Sequence, residues 1–432
     1  MTTTAAGRTD TTWFTEARFG LFVHWGIYSA AARHEWVKNR ERLTDAQYQR
    51  YFDHFEPDLY DPEAWAEAAQ RAGMRYTVLT TKHHDGFCLW DTEQTDYSAV
   101  HAPLCGRDLL RPFLDAFRSR GLRTGLYHSL IDWHHPDFPV DLMHPQRDDE
   151  EFIAATKGRD MAKYREYLHA QVTELLTRYG DISTMWFDFS YPGRGFNAKG
   201  RDDWGSAELA ALVRRLQPGI LINNRLDLLE EADFITPEQV QPVSAASGAR
   251  GTQLPWEACQ TLNGSWGYDR DNLDWKPSEL LVRMLVDTVS KNGNLLLNVG
   301  PTGRGEFDPR ALTRLREIGD WMRVHERSVI GAGEAAGLTA PTGCRYTRRG
   351  NRLYLHLMDW PMRHVHLEGL AGKVAYAQFL HDASEVKMLE PAPEWETNVS
   401  IHGIPSSSQT LELPIQRPDV AVPVIELFLK EG

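Results

Sequence analysis

The chain has 432 residues, too many for one ordinary domain and about right for a large catalytic unit with a smaller module attached. With 42% hydrophobic and 25% charged residues it has the composition of a globular protein with a sizeable core. The net charge of −13, without blocks of like charge, argues against nucleic acid and against a polybasic membrane anchor, and suits a neutral partner.

Other global features narrow the field further. The cysteines Cys88, Cys105, Cys259 and Cys344 are scattered and form no CxxC pair, so neither a zinc knuckle nor a disulfide framework is expected. The first residues, MTTTAAG, lack a basic-then-apolar signal pattern, and no apolar run approaches the roughly 18 residues of a membrane span. A cytoplasmic protein without membrane contact is the expectation. Fourteen Trp, 15 Tyr and 17 His supply rings with polar handles, which suit sugars: ring faces stack on C–H groups while polar atoms bond hydroxyls.

In chain order, short apolar runs bounded by turn signals predict strands at 19–26, 76–84, 123–130, 184–190, 219–225, 255–262 and 294–300. Between them, apolar residues at i, i+3 and i+4 predict helices at 62–72, 108–120, 160–179, 206–216, 278–291 and 309–325. Strands alternating with helices predict a parallel sheet, and about seven such units predict a (β/α)₈-like TIM barrel with one irregular strand. No G-x-G-x-x-G follows the first strand, which weakens a dinucleotide-binding alternative. Beyond residue 325 alternating patterns broken by Gly and Pro predict a small C-terminal antiparallel β-sandwich. The division is placed in the Gly331–Gly333 stretch, giving a barrel over 1–333 and a sandwich over 334–432.

A TIM barrel carries its chemistry at the C-terminal ends of its strands. Those ends read His24-Trp25-Gly26, His83-His84-Asp85, Tyr127-His128-Ser129, Trp186-Phe187-Asp188 and Asn223-Asn224-Arg225. Buried polar groups are costly unless used, so their recurrence in phase points to one site. Asp188 ends an apolar run, and the next helix begins too far downstream, near Ser206, for it to serve as an N-cap. Glu238, Glu257 and Glu35 are candidates for a second carboxyl, and spacing alone does not choose among them.

Metal chemistry is not expected. On a regular strand His83 and His84 point to opposite faces, and neither an H-x-H pair nor H-E-x-x-H occurs. The segment GPTGRG at 300–305 lacks the Lys-Ser/Thr of a phosphate-binding loop and reads as a tight turn, and there is no G-x-S-x-G elbow.

The ordered motifs FGLFVHWG, HEW, TTKHHDGF, GLYHS, WFDF, INNR, TPEQ, PWEACQTLNGSWGY and SKNGNLLLNVGPTGRGEF make residues 13–330 resemble the retaining α-L-fucosidase family. The resemblance implies an exo-acting hydrolase of terminal α-L-fucosyl residues on oligosaccharides or glycoconjugates, without cofactor or metal. It places the nucleophile at Asp188 and sugar contacts at His24, Glu35, Trp36, His83, His84, Trp186 and Arg225. One member of the Tyr127–His128 pair is expected to touch the sugar, and both stay candidates. Glu238 is taken as the acid/base, with Glu257 as the alternative or else a supporting residue under the sugar. Trp266 completes the binding set, and Trp256 or Trp266 is expected beside Glu238. Phe189 stands where many relatives have Gly. A catalytically inactive carbohydrate-binding barrel and an α-L-galactosidase are the rival readings.

Overall fold

The computed structural model describes residues 9–193, 195–244, 254–389 and 403–430. Seven strands form one curled parallel sheet: β1 Phe19–Val23, β2 Tyr76–Lys82, β3 Arg123–Ser129, β4 Thr184–Asp188, β5 Leu221–Ile222, β6 Trp256–Thr261 and β7 Gly293–Val299. Their order is β5-β4-β3-β2-β1-β7-β6, so sequential strands are neighbours except where β7 returns beside β1. Both faces are covered, which explains their near-continuous apolar character. One face packs against the helices. The other, concave face is filled by Phe22, Tyr76, Val78, Tyr127, Trp186 and Leu296. Gly20 makes room there: a Cβ would lie 2.5 Å from the Tyr76 ring.

The expected eighth strand is not a regular one. Residues 234–238 occupy the gap between β5 and β6 and make only isolated parallel bridges, Asn223 to Phe234, Ile235 to Trp256 and Glu238 to Cys259. Pro237 explains part of this, since it has no N–H for the ladder and contributes only its carbonyl, which accepts from Cys259 N at 3.0 Å. Asn223 compensates on the β4 side: its amide accepts from Phe187 N and donates to Phe187 O, a side-chain copy of a ladder pair.

The long helices span Pro62–Arg71, Leu110–Ser119, Met161–Arg178, Ser206–Leu216, Ser278–Val289 and Pro309–His325. Asp61, Asp160 and Asp308 cap three of them. A further helix at Asp45–Asp53, begun by a Thr44/Gln47 capping box, and short turns at Tyr28–Ala31 and Val37–Arg40 build the long loop after β1. The C-terminal part holds two antiparallel sheets, β10 His364–Leu367, β13 Gln409–Glu412 and β12 Lys387–Leu389 in one, and β11 Val374–Phe379, β14 Val424–Leu429, β9 Arg352–Leu357 and β8 Cys344–Arg349 in the other. Apolar residues of both sheets, among them Leu367, Leu411, Leu355 and Ile425, meet in one buried cluster.

Candidate active site

A cavity of about 430 Å³ opens where the strands end, lined among others by His24, Glu35, Trp36, His83, His84, Tyr127, Trp186, Asp188, Arg225, Glu238 and Trp266. Eleven of the thirteen residues marked out in the sequence therefore converge. Two do not. His128 follows Tyr127 on β3 and points to the opposite face, where its ring meets Thr81 and Trp90. Glu257 is sealed behind Trp186, accepting from Trp186 Nε1 at 3.0 Å and from the Tyr76 hydroxyl. Tyr127 is thus the member of its pair that reaches the cavity, and Glu257 supports its floor.

Asp188 is 9% exposed and held at both oxygens. Tyr127 donates its hydroxyl to Oδ2 at 2.9 Å, and Arg225 Nη1 donates to Oδ1 at 2.7 Å. Burial pushes the Asp188 carboxyl above the ordinary carboxylate range, while Arg225 and the Tyr127 hydroxyl pull it back. Arg225 is itself fixed from several sides. Its Nε donates to Thr236 Oγ1 at 3.0 Å, and its guanidinium lies 4.8 Å from the Trp186 ring centre.

The same Arg225 Nη1 also contacts Glu238 Oε2, at 2.8 Å. Two contacts to one atom cap the separation of the carboxyl oxygens at the sum of those two lengths. Glu238 reaches this point from the irregular segment at 234–238, and its side chain is 42% exposed against 12% for Asp188. Neither Trp256 nor any other residue of β6 lines the cavity, so of the two tryptophans expected beside Glu238 only Trp266 does.

The histidines are set as neutral rings. Burial takes His24 down to about 3, and holds His83 and His84 well below the ordinary range. His24 Nδ1 lies 2.7 Å from Asn298 Oδ1, while Asn298 Nδ2 donates to Trp266 O at 2.7 Å. That network assigns the proton to His24 Nδ1 and leaves Nε2 as an acceptor. His84 Nδ1 lies 2.7 Å from Ser129 Oγ, and His83 Nδ1 is buried without a hydrogen-bond partner among the described residues. Both histidines line the cavity because β2 ends at Lys82, after a register irregularity between Thr80 and Lys82, and strand alternation no longer separates them. Among the described residues no group of three or more His, Cys, Asp or Glu could hold a metal ion.

Glu35 comes from the loop after β1 and is wholly buried. Its Oε2 accepts from Gly267 N at 2.7 Å, and burial raises the carboxyl to about 7. Asn298, Ser129 and Thr236 lie within the quoted motifs NLLLNVG, GLYHS and TPEQ, but no role of their own is expected for them from the sequence, since each acts on a neighbour's orientation. Asn298 also stands out as a polar residue inside the apolar β7 run.

The family model for Alpha-L-fucosidase matches residues 2–327. Alpha-L-fucosidase isoenzyme 1 from Paenibacillus thiaminolyticus is 44% identical and superposes with a TM-score of 0.89, over 98% of this chain and 99% of that one. An alpha-L-fucosidase from Bacteroides thetaiotaomicron, trapped as a covalent intermediate with 2-fluoro-fucosyl fluoride, is 25% identical with a TM-score of 0.82, over 99% and 98% of the two chains. The human tissue alpha-L-fucosidase is 28% identical over 384 residues, 81% of this chain and 76% of that protein. With the family model covering the whole cavity-bearing part, and the likeness to solved fucosidases running nearly end to end, the chain belongs to the alpha-L-fucosidase family.

Proposed function

We propose that this chain removes terminal α-L-fucosyl residues from oligosaccharides or glycoconjugates by double displacement, with Asp188 as nucleophile and Glu238 as acid/base. The observation that carries the assignment is Arg225 Nη1, bonded at once to Asp188 and Glu238. Retaining glycosidases hold their two carboxyls about 5–5.5 Å apart. Glu257 is sealed behind Trp186 and outside the cavity lining, which supports Glu238 over it as acid/base. The covalent intermediate trapped in the Bacteroides enzyme supports the same two-step chemistry.

In the first step Asp188 attacks the anomeric carbon and Glu238 delivers a proton to the departing oxygen. In the second Glu238 takes a proton from water, which attacks the fucosyl-enzyme and releases fucose with its configuration retained. Tyr127 and Arg225 hold the Asp188 oxygens in place. The neutral histidines offer ring nitrogens to sugar hydroxyls, and Trp36, Trp186 and Trp266 offer faces and edges to its C–H groups. We take the 234–238 segment as the eighth strand of a closed barrel, and the sheets after residue 333 as a sandwich domain; its bridges on both sides and the single buried cluster support this. The test is nitrophenol release from para-nitrophenyl α-L-fucoside. Wild type turns it over and Asp188→Ala does not; binding without turnover by wild type would contradict the proposal.

A further inference from the structure

Ser129 ends β3 in register with Asp188 on β4, and its side chain shares a face with that of Tyr127, two residues earlier. Tyr127 acts on Asp188 directly, donating to Oδ2. Ser129 reaches it through His84. The Ser129 hydroxyl has one proton, which it donates to Ile131 O at 2.7 Å. Toward His84 Nδ1, also at 2.7 Å, the same oxygen is therefore the acceptor, and the imidazole proton lies on Nδ1. His84 Nε2 is left with its lone pair alone, 3.9 Å from Asp188 Oδ2.

The His84 ring is boxed in. Trp36 lies 5.1 Å from its centre, Trp133 5.5 Å and Phe189 4.8 Å. Phe189 follows Asp188 at φ 79°, in the left-handed region that a bulky residue occupies only under strain, and that bend sets its ring against His84. The His84 carbonyl is fixed as well, accepting from Trp133 N at 2.8 Å. Burial keeps the ring neutral, and His24, Lys82 and Arg225 all push in the same direction, against the pull of the Asp188 carboxylate that faces it. His83, whose ring centre is 4.0 Å away, has no comparable lock, since its Nδ1 has no hydrogen-bond partner among the described residues.

We propose that Ser129 is a positioning residue for the nucleophile: by holding the His84 proton on Nδ1 it keeps a third donor off the Asp188 carboxylate. The proposal rests on the reading of Asp188 as nucleophile. Oδ1 already accepts from Arg225 and Oδ2 from Tyr127. A proton on His84 Nε2 would be drawn to Oδ2 as well. The carboxylate would then be held more firmly in its charged form, with a lower pKa and less readiness to attack the anomeric carbon. Ser129→Ala brings that about. Without the hydroxyl, an Nδ1–H would be buried with no acceptor, whereas an Nε2–H has Oδ2 to donate to. The proton moves from one ring nitrogen to the other, and the charge of the ring does not change.

The test reads the proton and the chemistry separately. Nitrogen NMR of histidine-labelled protein, with the His84 signals identified by their loss in His84→Gln, is expected to show a protonated Nδ1 and a bare Nε2 in wild type and the reverse in Ser129→Ala. On para-nitrophenyl α-L-fucoside, Ser129→Ala is expected to lower kcat about tenfold with KM within about twofold. The acidic limb of its kcat/KM profile moves to lower pH, opposite to the effect of losing the Arg225 charge. Ser129→Thr keeps donor and acceptor and is expected to keep the wild-type ring pattern and acidic limb. A proton on Nε2 in wild type, an unchanged tautomer in Ser129→Ala, or a loss of activity with the acidic limb unmoved would overturn the proposal. If Ser129→Ala does not fold, the spectra of wild type and Ser129→Thr still decide where the proton lies. A wild type that carries the proton on Nδ1 yet cleaves no fucoside takes down the reading of Asp188 as nucleophile, and the catalytic role of Ser129 with it, while the proton placement stands.

Discussion

Arg225 Nη1 lies 2.7 Å from Asp188 Oδ1, a charge-assisted contact at the end of β4 that opposes the upward push of burial on the carboxyl. On the proposed mechanism Asp188 attacks only when ionised. Arg225→Met removes the opposing charge, so the Asp188 carboxyl rises further and the acidic limb of the kcat/KM profile moves to higher pH. A loss of about 10²–10³ in kcat/KM is expected, the scale for one preorganised charge-stabilising donor. Measured pH profiles of both proteins check this; an unmoved acidic limb would contradict it.

Tyr127 and His128 are adjacent in sequence and opposite in role. Tyr127→Phe removes the hydroxyl that donates to Asp188, and kcat is expected to fall about tenfold with little change in Tm. His128→Ala empties a fully buried site on the helix-facing side and is expected to cost about 2 kcal/mol of stability while kcat/KM stays within twofold. Thermal melts and steady-state kinetics on the two variants separate the roles.

Asn298 sets the tautomer of His24. Asn298→Ala frees the ring to place its proton on either nitrogen, so the acceptor facing the sugar is lost part of the time. KM for an aryl fucoside is expected to rise about tenfold, more than kcat falls. An effect confined to kcat would contradict this role.

Glu257 is raised from the ordinary 4.5 to about 7 by burial, with the Tyr76 hydroxyl and Trp186 Nε1 pulling the other way. An acid whose pKa is higher folded than unfolded contributes stability that is present below pH 4.5 and lost as pH rises through about 7. Glu257→Gln lacks that dependence. Its stability relative to wild type is therefore expected to improve from pH 5 to pH 8, read from denaturant melts at the two values. A constant difference would show that Glu257 is ionised in the folded protein throughout.

The helices were legible because their boundaries are written locally. Ser206–Leu216 and Pro309–His325 fall where apolar spacing placed them, the second with Asp308 as cap and Pro309 in the first turn. The strands were read one to three residues too long at their C-terminal ends. There His24, His83 and His84, and Asn223–Arg225 leave the ladder to form the site, a departure set by tertiary contacts. Asp188, Arg225 and the histidines stood out as polar groups in apolar runs. Glu257 shows the same signal, yet it faces the concave core beneath Trp186, and pattern alone does not tell depth along a strand. The short helix at Asp45–Asp53 was missed because Tyr48 is its one buried side chain and its apolar stripe is correspondingly thin.

Azide rescue tests the pairing of Asp188 as nucleophile with Glu238 as acid/base most directly. Glu238→Ala would be assayed on para-nitrophenyl α-L-fucoside with and without azide, and the anomeric configuration of the product read by proton NMR. The expected result is restored turnover with formation of α-L-fucosyl azide, because azide intercepts a fucosyl-enzyme still formed by Asp188. A β-L-fucosyl azide from Glu238→Ala, or rescue of Glu257→Ala in its place, would contradict the assignment.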